Sequence, residues 1–494
     1  MKSSKIILFL VLLLVASSIE QAFANDINVG PDGVYSTIQN GYNNAGNGDT
    51  IQVQSGTYLE TLDFNRSVSV GLIGGYNSSF RTNLSDSAVT GSLTISSGTV
   101  TVENIVITPP TNVMLLTVNG STCDANLISE AGGYVNDPCV SITVCTPGTS
   151  NCVNINSILF DTGSFGLRIF KQALGSVPLT QVTSGSGSLA ECVQYADNTS
   201  DWGPVEMASV ILGNEPAVEV PIQVIDSSFS AIPGSCGPPE YTPDTSPQFD
   251  GFNGILGVGP FIYDCGTACV SPASNPGLYY TCSGSNCSIT TVPLTNQVRN
   301  PVASLPTDNN GVIVQLPDVA AGGAASLNGS VVLGIGTQLN NSLSGVNVYS
   351  LDSNGNFITT FDGVTYMDTL NSANGSFIDT GSNGLFFPST SLTTDCSCPT
   401  DSEPGCGWFC PSSILSLSAS ITGAFGSPTA TVQFQIGNYD TLTNSTNNST
   451  NNVFSDIGGD NNTFDWGLPF YFGHDVYIGF ENRSNLGTGQ YFAY

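Results

Sequence analysis

Positive charge is what this chain has least of. Its 494 residues carry 8 Lys and Arg against 38 Asp and Glu, a formal net charge of −30. Nucleic acid and anionic membrane surfaces are poor partners for such a chain. Histidine is nearly missing as well. With His474 the only one, no Ser-His-Asp or Cys-His arrangement can be built, and no His-rich metal site. Past the first two dozen residues no apolar run is long enough to cross a bilayer, so no membrane span is expected. Convincing amphipathic helices are scarce too. What remains is short apolar stretches set among Gly, Ser, Thr and Asn, an all-β pattern.

Residues 1–24 read as a secretory signal. Lys2 and Lys5 supply its positive start, Ile6 to Ala16 its apolar core, and Ala22-Phe23-Ala24 a small-x-small cleavage site. The expected product begins near Asn25 and is exported to the periplasm, the cell surface or the medium. The 14 cysteines suit that compartment as disulfides. Near neighbours suggest small loops: Cys145 with Cys152, Cys265 with Cys269, Cys282 with Cys287. The cluster Cys396, Cys398, Cys406 and Cys410 has the donors for a zinc site, but an oxidising compartment favours disulfides, and neither metal nor cofactor is expected.

Residues 25–108 form a module of their own. Thr37 to Ala45 can make a short helix, and β runs follow at Ile51, Val68 to Ile73, Leu93 to Ile95 and Val100 to Ile107, about twenty residues apart as in stacked coils. The stretch from Gly33 to Tyr58 resembles the N-terminal end of a right-handed parallel β-helix of the pectin-lyase-like kind. That resemblance implies a glycan or cell-surface ligand, or a capping spacer with no ligand. Pro109-Pro110 then breaks the chain, since paired prolines disfavour regular structure on either side. Beyond it, alternation is visible from Val140 to Val144 and from Ala430 to Phe434.

The second region is organised around a repeated tetrad. Asp161-Thr162-Gly163-Ser164 returns as Asp379-Thr380-Gly381-Ser382, each after a short apolar run and each followed by x-Gly-Leu. An apolar strand ending in Asp-Thr-Gly sets a carboxylate at the mouth of a turn. Two such turns in one chain suggest related halves that each present one Asp to a common site. Carboxylates held about 3 Å apart share one proton, so one serves as base toward water while the other serves as acid toward a carbonyl oxygen.

In these residues the chain resembles the pepsin-like aspartic peptidases. Cys192-Val193-Gln194-Tyr195-Ala196-Asp197 is similar to that family's flap hairpin. Phe252 to Gly257 matches the element threaded behind the first Asp turn, and Phe464-Asp465-Trp466-Gly467 stands where the second belongs, with Asp465 in place of the usual apolar residue. Arg168 stands where the family often has an aromatic; it could lie near the dyad, point into solvent or bind a substrate acid. The resemblance also extends to an uncharacterised bacterial family joining this core to a β-helix-like leader. It implies two β lobes, at 112–300 and 301–494, with a cleft between them. Asp161 and Asp379 would bind the attacking water and Thr162 and Thr380 would cross-link the turns. Gly163 and Gly381 would permit close approach, Ser164 and Ser382 would hold the outer carboxylate oxygens, and Tyr195 would close over the substrate. The expected activity is that of a monomeric exported aspartic endopeptidase acting on polypeptides. The alternatives are an inactive binding or inhibitor module on the same fold, or an adhesion or glycan-binding protein acting through residues 25–108.

Overall fold

The computed structural model describes residues 24–120, 127, 135–367, 375–389, 392, 407–443, 451–483, 486 and 489–494. The sequence reading of Cys396, Cys398 and Cys406 falls outside them, while Cys410 is disulfide-bonded. Two compact units, Met1–Pro110 and Thr111–Tyr494, divide the chain at the proline pair. Both are built almost wholly from strands, and the protein is all-β.

In the first unit, Asp26–Val29, Thr50–Gln54, Ser69–Tyr76 and Thr99–Glu103 lie side by side in one parallel sheet. Thr57–Leu59, Ser87–Thr90 and Ile105–Thr108 make a second parallel sheet, and Leu62–Phe64 pairs with Leu93–Ile95 in a third. Parallel neighbours cannot be joined by a tight turn, so the chain visits the other sheets before it returns. The register stacks like on like, with Ile27, Ile51, Leu72 and Val102 forming one aliphatic column. The helix expected near Thr37 spans Ile38–Asn44. Thr37 caps it, and both Glu60 carboxylate oxygens accept from the Ile38 and Gln39 N–H groups at 2.8 and 2.9 Å. An anion there satisfies donors that the helix itself leaves unpaired. Tyr42 on the helix stacks on Phe64 with ring centres 3.9 Å apart.

The second unit contains one three-strand arrangement twice. In the first copy Cys152–Asp161 runs into the Asp161 turn and Phe165–Phe170 leaves it. Gly254–Val258 lies between them, parallel to the entering strand and antiparallel to the leaving one. In the second copy Ser376–Ile378 enters, Leu385–Phe386 leaves, and Phe464–Trp466 takes the middle place with the same pair of directions. One continuous apolar core, from Met114 through Phe160 and Leu256 to Trp466 and Phe492, runs beneath both copies.

Disulfides fasten the hairpins of the first half. Cys145 and Cys152 face each other across paired strands and are bonded, as are Cys282 and Cys287. Cys265–Cys269 closes the third expected loop, and Cys192–Cys236 adds a longer one that spacing alone did not suggest.

Candidate active site

The repeated turns meet. Strand pairing carries Asp161 opposite Gly257, and the Asp379 N–H donates to Trp466 O at 3.1 Å, so each Asp ends its strand at the edge of the threaded one. The carboxyls of Asp161 and Asp379 come together where the turns meet, each beside the other turn's glycine. Glycine makes this approach possible. A Cβ on Gly163 would overlap the Asp379 carboxyl carbon, and one on Gly381 would lie 2.7 Å from Asp161 Oδ1.

Each carboxylate is held by its own turn. Gly163 N–H donates to Asp161 Oδ1 and Gly381 N–H to Asp379 Oδ1, both at 2.7 Å. Ser164 Oγ donates to Asp161 Oδ2, and Ser382 Oγ donates to Asp379 Oδ2 at 2.9 Å. The threonines lock the turns together. Thr380 Oγ1 accepts from the Thr162 N–H at 3.0 Å and donates to Phe160 O at 2.7 Å, while Thr162 Oγ1 accepts from the Thr380 N–H at 2.9 Å. Asp161 is buried and Asp379 keeps an exposed edge that water can reach. Burial, and next the negative charge of Asp161, holds the Asp379 carboxyl well above the usual carboxylate range.

Tyr195 lies at the turn joining Gly187–Gln194 to Thr199–Leu212, a hairpin tied down by Cys192–Cys236. Its N–H donates to Thr199 O at 3.0 Å, and Asn198 takes the left-handed conformation (φ 66°) that closes the turn. The Tyr195 hydroxyl donates to Asp201 Oδ2 at 2.7 Å.

Arg168 does not reach solvent. It is 1% exposed, paired with Glu191 and Asp264 at 3.4 Å each, and its Nη1 donates to Phe165 O at 2.8 Å. The site therefore acquires no free cation from it. Trp202 is fully buried and meets Tyr280 edge-on.

Three neighbours of the turns carry weight, and the sequence context of the first two did not announce it. The buried Tyr471 hydroxyl pairs with Thr162 Oγ1 at 2.8 Å. Asn136 donates to the carbonyls of Asn383 and Phe454, both at 2.8 Å, and accepts from the Phe454 N–H at 2.7 Å, pinning the chain just beyond the second turn. Asp465, 4% exposed, pairs in register with Phe377, two residues before Asp379. Burial first, then the charge of Asp161, pushes the Asp465 carboxyl up to about 8. The sequence signal for Asp465 was present, an acid where an apolar residue is usual.

Beside the first turn, a cavity of about 330 Å³ is walled by Thr162, Gly163, Phe165 and Pro260 from one half and by Leu351 and Phe377 from the other. Among the described residues no cluster of His, Cys, Asp and Glu is arranged to hold a metal ion.

The class this fold and site define is an all-β protein with a paired-carboxyl centre, built from two copies of one turn. The chain belongs to the family described as protein of unknown function, DUF3443, whose model matches residues 108–494. Among curated proteins the chain has no match.

Proposed function

We propose that this protein is an exported aspartic endopeptidase, with a bilobal pepsin-like core preceded by a short parallel β-helix module. One observation carries the reading. Two Asp-Thr-Gly-Ser turns cross-link through their threonines and seat each glycine against the other turn's carboxyl.

The chemistry follows from a dyad holding one proton. Asp379, raised by burial and by its partner's charge, keeps that proton in mild acid. A water between the carboxyls gives its proton to Asp161 as its oxygen attacks the peptide carbon. Asp379 delivers its proton to the carbonyl oxygen, leaving a neutral gem-diol. In collapse, Asp161 passes its proton to the amide nitrogen, the C–N bond breaks and the amine departs, and Asp379 recovers a proton from the gem-diol hydroxyl that becomes the carbonyl of the new carboxylic acid. The dyad returns to its starting state.

Ser164 and Ser382 hold the outer oxygens and keep the inner ones facing the water. An extended polypeptide lies along the cleft under the hairpin that carries Tyr195, which excludes bulk water. The cavity beside Gly163 takes one of its side chains. The four disulfides that join pairs of described residues fit an exported protein, and no helix of the described residues is long and apolar enough to cross a membrane.

The test is hydrolysis of unfolded protein at acid pH by wild type, Asp161→Asn and Asp379→Asn. Each variant is expected to lose about 10²–10⁴-fold in rate while folding normally. Equal rates in all three would remove the reading.

A further inference from the structure

The hairpin formed by Gly187–Gln194 and Thr199–Leu212 carries an acid as well as a tyrosine on one face. Val193 pairs with Asp201 across it, and Glu191 pairs with Gly203. Side chains alternate along a strand, so Glu191, Val193 and Tyr195 share a face, and Asp201 stands on that face opposite Val193. Tyr195, two residues beyond Val193, is then the diagonal neighbour of Asp201, a separation that an aromatic side chain can bridge. Trp202, the next residue, points to the other face, where it meets Tyr280. Glu191 pairs with Arg168 on Phe165–Phe170, the strand leaving the Asp161 turn. The face with Tyr195 and Asp201 is therefore the one turned toward that strand.

The backbone at Asp201 is fixed independently of its side chain. Gln223 is fully buried and its Nε2 donates to Glu191 O and Asp201 O, 3.1 Å each, so it ties the two strands together. One residue earlier, Ser200 Oγ donates to Cys236 O at 2.7 Å, and Cys236 is bonded to Cys192. Thr199 and Ser200 pair in parallel with Thr242 and Pro243, while Ser188 to Glu191 pair with Tyr279 to Cys282 on the other edge. Only the turn itself is open: Ala196, Asp197 and Asn198 are exposed and Tyr195 is half-buried. A tyrosine ring at such a turn ordinarily divides its time among rotamers. Here its hydroxyl reaches back to Asp201 Oδ2 at 2.7 Å, and Asp201 is 1% exposed. An acceptor set on a fixed backbone and shut off from solvent holds the far end of the ring.

We propose that Asp201 is a positioning residue: by accepting the Tyr195 hydroxyl it holds the ring in the orientation that covers a bound polypeptide. Its contribution is preorganisation. Without the bond, the ring has to be ordered when substrate binds, and that cost is taken from binding and from the exclusion of water. Gln223, Ser200 and the Cys192–Cys236 disulfide keep the hairpin in place without the Asp201 side chain. Loss of that carboxyl therefore releases the ring and not the hairpin. This inference rests on the endopeptidase reading for what the ring covers, but not for the bond between Tyr195 and Asp201.

The experiment is a double-mutant cycle on kcat/KM for an unfolded polypeptide, using Tyr195→Phe, Asp201→Val and the two combined, with Asp201→Asn as the conservative variant. A second readout, NMR of ring-labelled tyrosine, follows the Tyr195 hydroxyl proton, identified by its loss in Tyr195→Phe. Each single variant is expected to lose about tenfold in kcat/KM, as for one hydrogen bond. The combined variant should also lose about tenfold, not about a hundredfold, because Asp201 acts through the Tyr195 hydroxyl. Asp201→Asn, whose amide oxygen can accept, should recover most of the loss. The hydroxyl proton should exchange slowly with water in wild type, shift in Asp201→Asn and exchange fast in Asp201→Val. Losses that multiply in the combined variant would overturn the proposal, since Asp201 would then act apart from Tyr195. So would a hydroxyl proton that exchanges freely in wild type or keeps its shift in Asp201→Asn. If wild type cleaves no polypeptide at any pH, the endopeptidase reading fails, and the hydroxyl proton alone decides whether Asp201 holds the ring. If Asp201→Val does not fold, wild type and Asp201→Asn decide by the same proton.

Discussion

The first and second Asp-Thr-Gly-Ser turns share a backbone plan and differ in what surrounds it. Around the first, the polar residue is Arg168 on the leaving strand, turned into the half's interior against Glu191 and Asp264, while the threaded strand offers Ile255. Around the second, the leaving strand offers Phe386 and the threaded strand offers Asp465. The threonines repeat the asymmetry. Thr380 donates to Phe160 O, whereas the Thr162 hydroxyl pairs with that of Tyr471. A duplicated turn can keep its geometry through short local bonds while its environment diverges, because Gly N–H, Ser hydroxyl and Asp carboxylate all belong to the same few residues. What makes the carboxyls unequal lies in the packing around them.

Variants can break this comparison, and the largest expected effect is on the acids themselves. Asp161→Asn and Asp379→Asn should each lose about 10²–10⁴-fold in peptide hydrolysis, since both copies are needed for one dyad. A rate loss confined to one of them would mean that the second turn is only a scaffold.

The next effect sharpens the contrast between halves and concerns pH. Burial raises Glu191, Asp201 and Asp264, and it pushes Asp244 up to about 11 and Asp250 to about 7, all in the first half. In the second half burial raises Asp379 and Asp456 and pushes Asp465 up to about 8. Unfolded, these groups titrate near pH 4. The folded chain therefore keeps protons that the unfolded chain has already lost. Their stabilisation is complete below about pH 4 and is lost as pH rises through the folded values. Tm should be highest in acid and decline toward pH 8, and hydrogen exchange should rise first in strands of the first half, where more such acids lie. A Tm that climbs steadily from pH 4 to pH 8 would contradict the inferred protonation.

Smaller effects separate the two glycines and the two threonines. Gly163→Ala should cost about 1–3 kcal/mol and most of the activity, because its Cβ would overlap the Asp379 carboxyl. Gly381→Ala should cost less, since its closest contact is a side-chain oxygen at 2.7 Å. Thr380→Val would leave the buried Thr162 N–H without its acceptor and Phe160 O without its donor, about 1–3 kcal/mol by urea unfolding. Tyr471→Phe should cost about 1 kcal/mol, because Thr162 keeps its bond to the Thr380 N–H. Equal costs for Thr380→Val and Tyr471→Phe would mean that the turns are more alike than their hydrogen bonds.

Much of the architecture was legible in the sequence. Alternation marked strands found at Asp137–Cys145 and Thr429–Ile436, and three disulfides followed from short cysteine spacings. The repeated tetrad announced the paired turns, because its bonds are formed within a few residues. The contacts that distinguish the turns were not legible, because they join distant parts of the chain. Tyr471 reaches Thr162 across 309 positions and Asn136 reaches Phe454 across 318. Arg168 was open to three readings until Glu191 and Asp264 were seen beside it, for nothing local to Arg168 specifies its burial. Asp465 was visible as an unusual acid, but only strand register shows that it stands in the place of Ile255.

One titration addresses the shared proton most directly. Carbon NMR of the Asp379 carboxyl is followed against pH in wild type and in Asp161→Asn. Because the Asp161 charge, after burial, is what raises Asp379, the midpoint should move down in the variant. A midpoint that stays where it was would show two acids titrating independently, and the dyad would not exist.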